Sequence, residues 1–304
     1  MMDIMACTQD SHPCKEDIVM KAPSLVPLKT IFVQVAVSLL LIVAFALVAT
    51  AQLTYEKKSG VFVDPRNKQK IVGYIKIASA WGEQLRPPQD LSRGIINLKE
   101  AMNRYTKIET ELDDHLVLSS ERLFKMPFVY VTSKEAFQLT ETERENLRMY
   151  FDMGGFMVVE NTAPEVGDFS KGGASLRQML RDVIPNARFA PIPNSHGIYH
   201  SFFDFNDGPP QGIEGESYVN PSLKEINKQR EKDGLSTIPE IPIEQKKTYF
   251  LEGVYHKGRL AAIYSDKAYI RKWNDTSNNE PQLRMGVNLI VYSLIQDGGI
   301  GEKY

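Results

Sequence analysis

The chain has 304 residues, 42% apolar and 24% charged, which is enough apolar surface for one large packed domain or two small ones. Its 36 lysines and arginines nearly balance 38 aspartates and glutamates, and the net charge of -2 leaves no electrostatic case for nucleic-acid binding. Both cysteines, Cys7 and Cys14, lie near the amino terminus, so the chain beyond them can carry no disulfide, thiolate zinc site or cysteine nucleophile.

In chain order, the first feature is a charge-free apolar run from Ile31 to Val48, followed by Ala49-Thr50-Ala51. About 18 or more apolar residues suffice for a membrane-spanning helix, and small residues in an A-x-A pattern after an apolar core are what signal peptidase reads. Two expectations arise: a single-pass cell-membrane anchor with a periplasmic or otherwise extracytoplasmic domain, or secretion after cleavage near Ala51. Lysine and arginine are more numerous after the run than before it, which taken alone favours the opposite orientation, but the A-T-A site and the folded domain behind it outweigh that count. The expected organisation is a leader over 1–30, the span or signal core over 31–51, a tether over 52–70, and an α/β domain over 71–298 with an irregular insertion at 204–247.

Residues 52–70 are mixed and charged and read as a tether or a first edge strand. Ile71 to Ala78 is β-rich and reads as the first core strand. Leu91, Ile95, Leu98 and Met102 then recur at helical spacing within Gln89–Tyr105, with Asp90 placed to cap the start. Met126–Thr132 reads as a buried strand. Thr140 and Glu143 form a capping box ahead of a helix carrying Leu147, Tyr150 and Phe151, and Gly154-Gly155 supplies its left-handed stop. Phe156–Glu160 is another buried strand, so this stretch predicts a parallel β-α-β crossover. Leu176, Met179, Leu180, Val183 and Ile184 line a further helix ending at Pro185, with a short strand near Arg188–Ala190. Residues 204–247 are rich in Pro, Gly, Glu and Lys, and are too long for an ordinary connection. Tyr249–Tyr255 and Arg259–Tyr264 flank a turn at His256-Lys257-Gly258, a β-hairpin. Leu283–Ile295 is a last helix, entered through Pro281 and closed by Gly298-Gly299.

This alternation predicts an open, mostly parallel sheet with helices on both faces, in which ligands sit at the carboxyl ends of the strands. That rule selects Ser79-Ala80-Trp81, Thr132-Ser133, Glu160-Asn161 and Ser265-Asp266. Trp81 could stack on a ligand or simply pack. Glu160 could be a functional acid or an acceptor of backbone N–H groups. His196 and His200, at i and i+4, could bind a metal with Glu160 or Asp204, although Gly197 and Pro193 argue against a helix there. Gly172-Gly173 could cradle an anion or form a plain turn. Phe202, Phe203 and Phe205 could form a partner surface or belong to the core.

The succession FVYVTS, LTETERENLRMYFDMGGFMVVEN, LRQMLRDVIPN, HGIYHSFF, LEGVYHKGRLAAIYS and RMGVNLIVYSL resembles the bacterial domain-of-unknown-function family four-one-five-nine, over roughly Lys70 to Leu294. The resemblance implies a flavodoxin-like fold similar to class I glutamine amidotransferases, a leader or membrane span, and genes beside MoxR-type ATPases and Bat-like von Willebrand A proteins. It implies no activity and no cofactor. Related amidotransferases carry a cysteine on a strand-to-helix elbow. Here the corresponding turn has Thr132-Ser133, without the G-x-S-x-G pattern of a serine elbow. The leading expectation is therefore a non-enzymatic membrane-associated interaction module. The alternative is a ligand-binding or hydrolase-like domain with a polar or metal site around Glu160, His196 and His200, and Trp81 and Ser133 are further candidate ligand contacts.

Overall fold

A computed structural model describes residues 37, 38, 40, 57–165, 170–213, 221–238 and 250–303. Contacts divide the chain into Met1–Glu56 and Lys57–Tyr304, and the sheet and its helices all belong to the second unit. The apolar run lies outside the described residues except for Val37, Ser38 and Leu40, which are helical. No helix among the described residues is long and apolar enough to cross a membrane.

The second unit is built on one nine-stranded sheet: β1 (Gly60–Asp64), β2 (Asn67–Trp81), β3 (Lys107–Val117), β4 (Phe128–Ser133), β5 (Phe156–Asn161), β6 (Ala190–Pro191), β7 (Glu252–His256), β8 (Arg259–Ser265) and β9 (Glu302–Lys303). Its centre is parallel and runs β3-β2-β4-β5-β8. The chain thus leaves β2 for one neighbour, β3, and then crosses back to the other, β4. The antiparallel pairs are β1 with β2, β6 with β7 and β7 with β8.

Among the described residues the unit also has six α-helices: α1 (Ser92–Tyr105), α2 (Glu141–Asp152), α3 (Lys171–Val183), α4 (Pro221–Lys232), α5 (Tyr269–Asn274) and α6 (Glu280–Ile295). Period-two alternation along the strands sorts the two faces. Phe128, Tyr130, Phe156 and Val158 pack in one core with α1, α5 and α6. Val129, Val131, Met157 and Val159 pack in the other with α2 and α3. Strands buried on both sides read as continuous apolar runs, which is why FVYV and FMVV stand out in the sequence. Helix α6 is apolar almost all round because it is buried on nearly every side.

Several expected elements agree closely with the structure. The Thr140–Glu143 capping box forms in full, and Gly154 takes a left-handed conformation with φ 104° behind α2. The hairpin turn has Lys257 and Gly258 at φ 50° and 79°, as a tight two-residue turn between twisted strands requires.

Others are corrected. Of the two readings of 52–70, a tether or a first edge strand, the strand holds from Gly60 onward, since β1 and the start of β2 pair with each other. Asp90 does not cap α1. Its carboxylate pairs with Lys134 at 2.6 Å, and a short 3-10 turn over Gln89–Leu91 leads into the helix instead. The 204–247 insertion is not wholly irregular, because α4 lies within it, while 214–220 and 239–249 fall outside the described residues. Phe202 is buried, and Phe203 and Phe205 pack against the core. Asn288 of α6 secures this stretch: its Oδ1 accepts the Phe203 amide at 2.7 Å and its Nδ2 donates to the Phe203 carbonyl at 2.8 Å.

Candidate functional site

Register aligns the strand ends that the sequence singles out. Ser79 lies opposite Tyr130, Thr132 opposite Glu160, and Glu160 opposite Ser265. These residues fall on the α1/α5/α6 side by the same alternation that places Tyr130 and Val158 there.

Glu160 is closed off. It is 1% exposed. Its Oε2 accepts the Tyr130 hydroxyl and the Ile270 amide, the latter at 2.9 Å, and its Oε1 accepts the Ser265 hydroxyl at 2.9 Å. The Tyr269 amide is a further donor. Burial pushes its carboxyl above the usual range against the pull of these donors, and burial together with the neighbouring carboxylate pushes the Tyr130 phenol well up. The arrangement has a plain structural purpose. Helix α5 begins after Ala268, at φ 50°, with no side-chain cap of its own. Glu160 supplies the missing acceptor from across the sheet, and an anion there complements the positive end of the helix.

An open cleft of about 360 Å³ lies beside this cluster, between the ends of β2 and β4 and the start of α1. Trp81 forms part of its wall. The Trp81 ring packs on His115 with centroids 4.3 Å apart, and its Nε1–H donates to the Asp114 carbonyl at 2.9 Å. Both neighbours are placed by a bulge in β3. Ala78 pairs with Asp113 but Ala80 pairs with Leu116, so β3 carries one extra residue here. A bulge bends the strand and re-aims its side chains, and this one brings Asp114 and His115 to the cleft. Pro87, Pro88, Leu91, Ile95 and Ile96 supply apolar surface. Ser79 is only 7% exposed, lines the cleft, and its hydroxyl has no partner among the described residues. The Asp114 carboxylate is likewise unpartnered among them. No lysine or arginine lines the cleft among the described residues.

The remaining sequence candidates are dispersed. Ser133 is buried, and its hydroxyl donates to the Glu135 carbonyl at 2.9 Å. His196 does not sit on a helix facing His200. Its Nδ1 accepts the Ile198 amide at 3.2 Å and so caps a 3-10 turn over Gly197–Tyr199. The ring of His200 lies between Asp204 at 3.1 Å and the Asn194 carbonyl at 2.9 Å. Lys68, at the start of β2, donates to the His200 carbonyl at 3.0 Å and to Asp204 at 2.5 Å. His200 therefore sits at the amino end of the sheet, whereas Glu160 ends β5 at the carboxyl end. At ~3.3 Å per residue, β2 alone spans about 35 Å between Lys68 and Ser79. The three side chains form no common site, and no cluster of metal-ligating residues occurs among the described residues. Gly172 and Gly173 lie inside the first turn of α3, where the Ser170 hydroxyl already takes the Gly173 amide at 3.2 Å in place of any anion.

One polar network on the opposite face has no local signature in the sequence. Arg177 bridges Glu252 and Asp266, and its guanidinium lies 3.7 Å from the Tyr264 ring centroid. Asn161 donates to Asp266 at 2.9 Å and accepts from Ser170 at 2.7 Å. Against its burial, the bond to Glu252 and the two carboxylates hold the arginine charged. These contacts lock the β5, β8 and α3 ends together. Asp114 and His115 are equally hard to single out from sequence. The only signal for their strand is the alternation of Ile108, Thr110 and Leu112 among charges.

No curated protein matches the chain. Among solved structures, it is similar to a crystal structure titled as a ThuA-like protein from Bacteroides uniformis. The match is 10% identical with a TM-score of 0.36, over 70% of this chain and 89% of that one. The family described as Domain of unknown function (DUF4159) matches residues 82–294. That stretch takes in most of the cleft, the Glu160 cluster and most of the sheet, and the chain belongs to this family.

Proposed function

We propose that this is a non-enzymatic, membrane-associated binding module of flavodoxin-like architecture, whose recognition site is the cleft beside Trp81. The observation that carries the reading is the contrast between two neighbouring places. The polar groups expected to do chemistry are engaged with the protein's own backbone and side chains, as with Ser133 on Glu135 and Glu160 on α5. The open groups, Ser79 and Asp114, lie in a cleft with apolar walls, a form suited to binding. The strand order β3-β2-β4-β5-β8 supports the flavodoxin-like assignment, because the chain reverses direction between β2 and β4, where such sheets bind ligands. The apolar run over 31–48 supports an anchored or exported domain. By family resemblance, the protein partners are a MoxR-type ATPase and Bat-like von Willebrand A proteins in the cell envelope.

The test is purification of the tagged full chain from native membranes in mild detergent, followed by mass spectrometry. Stoichiometric recovery of such partners, reduced by Ser79→Val, is the expected result. A partner-free protein, or recovery indifferent to the cleft, would reject the reading.

A further inference from the structure

Resting on the reading of the cleft as the recognition site, we infer that it takes an uncharged, polyhydroxylated ring: a pyranose unit of a glycan. Three observations select this class.

The first is charge. At this point of a doubly wound sheet, the start of a helix commonly meets a phosphate. Here acids hold that ground. Asp114 stands unpartnered in the cleft, and Asp90 lies in the turn that opens α1. Of the cations nearby, Lys134 is occupied by Asp90 at 2.6 Å, Arg271 by Glu165 at 2.6 Å, and Arg86 by the Gly82 and Leu85 carbonyls, and none is part of the lining. An anion would meet a carboxylate with no arginine or lysine in the described lining to offset it. A nucleotide or phosphate ester is a poor fit.

The second is the supply of hydrogen bonds. Ser79 can donate and accept; the residue is nine-tenths buried, and its hydroxyl has no partner among the described residues. Asp114 can only accept when ionised, and the exposed Ser92 adds a second hydroxyl that has no partner among the described residues. This set calls for a ligand rich in donors that also accepts, which describes vicinal hydroxyls. Leaving such groups dry and unpaired is costly, so a ligand lacking hydroxyls is discriminated against.

The third is shape. Trp81 gives an aromatic platform, with His115 packed on its ring and the Arg86 guanidinium 5.9 Å from its centroid, and Pro87, Pro88 and Ile96 add apolar surface. A sugar ring presents C–H groups to such a surface and hydroxyls around its rim. A quaternary cation would call for several aromatic faces around it, whereas beside Trp81 the lining is mainly aliphatic and its other rings, Tyr130 and His115, are engaged with Glu160 and with Trp81 itself. The cleft volume of about 360 Å³ lies at the small end of ligand pockets.

Binding is followed by isothermal titration calorimetry together with the emission of Trp81, which lines the cleft. The full chain, in a detergent without a sugar headgroup, is titrated with glucose, N-acetylglucosamine and their short oligomers, and separately with AMP, inorganic phosphate and choline. The expected result is saturation by at least one sugar and by none of the charged probes. Ser79→Val should abolish it, and Asp114→Asn, a surface change that spares the core, should weaken it at least tenfold. Saturation by AMP, phosphate or choline in place of sugar overturns the inference. So does a sugar response unchanged in both variants, or no saturation by any probe. Partner recovery with Ser79→Val separates the two levels. If sugars fail while recovery still depends on Ser79, the cleft recognises protein and only the ligand class falls. If both fail, the recognition site falls with it.

Discussion

Glu160 and Ile270 lie 110 residues apart, yet the carboxylate of the first accepts the backbone N–H of the second at 2.9 Å and thereby starts α5. The helix so positioned puts Ile270 into the cleft and Trp273 into the core, with the Asn97 side chain closing onto the Trp273 carbonyl at 2.7 Å. One buried acid thus joins β5, β4, β8 and α5.

Replacing that acid should be costly. Glu160→Ala leaves the Tyr130 and Ser265 hydroxyls and the α5 amides without their acceptor in a dry site. A loss of about 3–5 kcal/mol is expected in urea denaturation. The pH dependence has a definite sign. Burial raises the Glu160 carboxyl above its value in the unfolded chain. Its contribution is fully present below the unfolded value and is lost as pH rises through the folded one. Glu160→Gln should remove that slope, whatever its effect on absolute stability.

The α2 capping box offers a graded test. Thr140→Ala removes one side-chain cap, with an expected cost of about 1 kcal/mol. Glu143→Ala should cost more, about 2 kcal/mol, because it loses two acceptors. The Glu143 Oε2 takes the Thr140 amide at 2.8 Å and its Oε1 takes the Glu83 amide at 2.7 Å, in the loop after β2. Equal losses in the two variants would show that the Glu83 contact contributes nothing.

Two glycines separate backbone strain from close packing. At Gly154, φ is 104° and an added Cβ would lie 2.2 Å from the Gly298 carbonyl oxygen, so Gly154→Ala should cost about 2 kcal/mol or more. At Gly234, φ is 68° with nothing within 4 Å, and Gly234→Ala should cost no more than about 1 kcal/mol. Thermal melts of the two variants check the order.

His196 should titrate below the ordinary histidine value, because burial disfavours its charged form. The stability this confers is present above the unfolded value and is lost as pH falls through the folded one. Imidazole NMR signals report the titration directly. His196→Asn, which keeps an acceptor for the Ile198 amide, should flatten the stability profile on the acid side of the ordinary histidine range. An ordinary titration would contradict the burial argument.

The sequence alone determined the centre of this fold. Doubly buried parallel strands have to be continuous apolar runs, as in Phe128–Val131 and Phe156–Val159, and capped helices announce their own starts, as at Thr140. Because open α/β sheets place ligands at the carboxyl ends of their strands, Ser79, Trp81 and Glu160 are nameable from sequence. Other features have no such local signature. Strand β3 hides its alternation among acids because it is paired on one side only among the described residues, and the bulge that turns His115 onto Trp81 follows from register with β2. Helix α5 lacks its own cap, so it could not be read without Glu160. Tertiary structure also decided which candidates meet. Spacing of four placed His196 near His200, but only the path of the chain around the sheet sends Glu160 to one end and His200 to the other. A side chain's chemistry is written in its type, whereas its partners depend on distances that the fold alone sets.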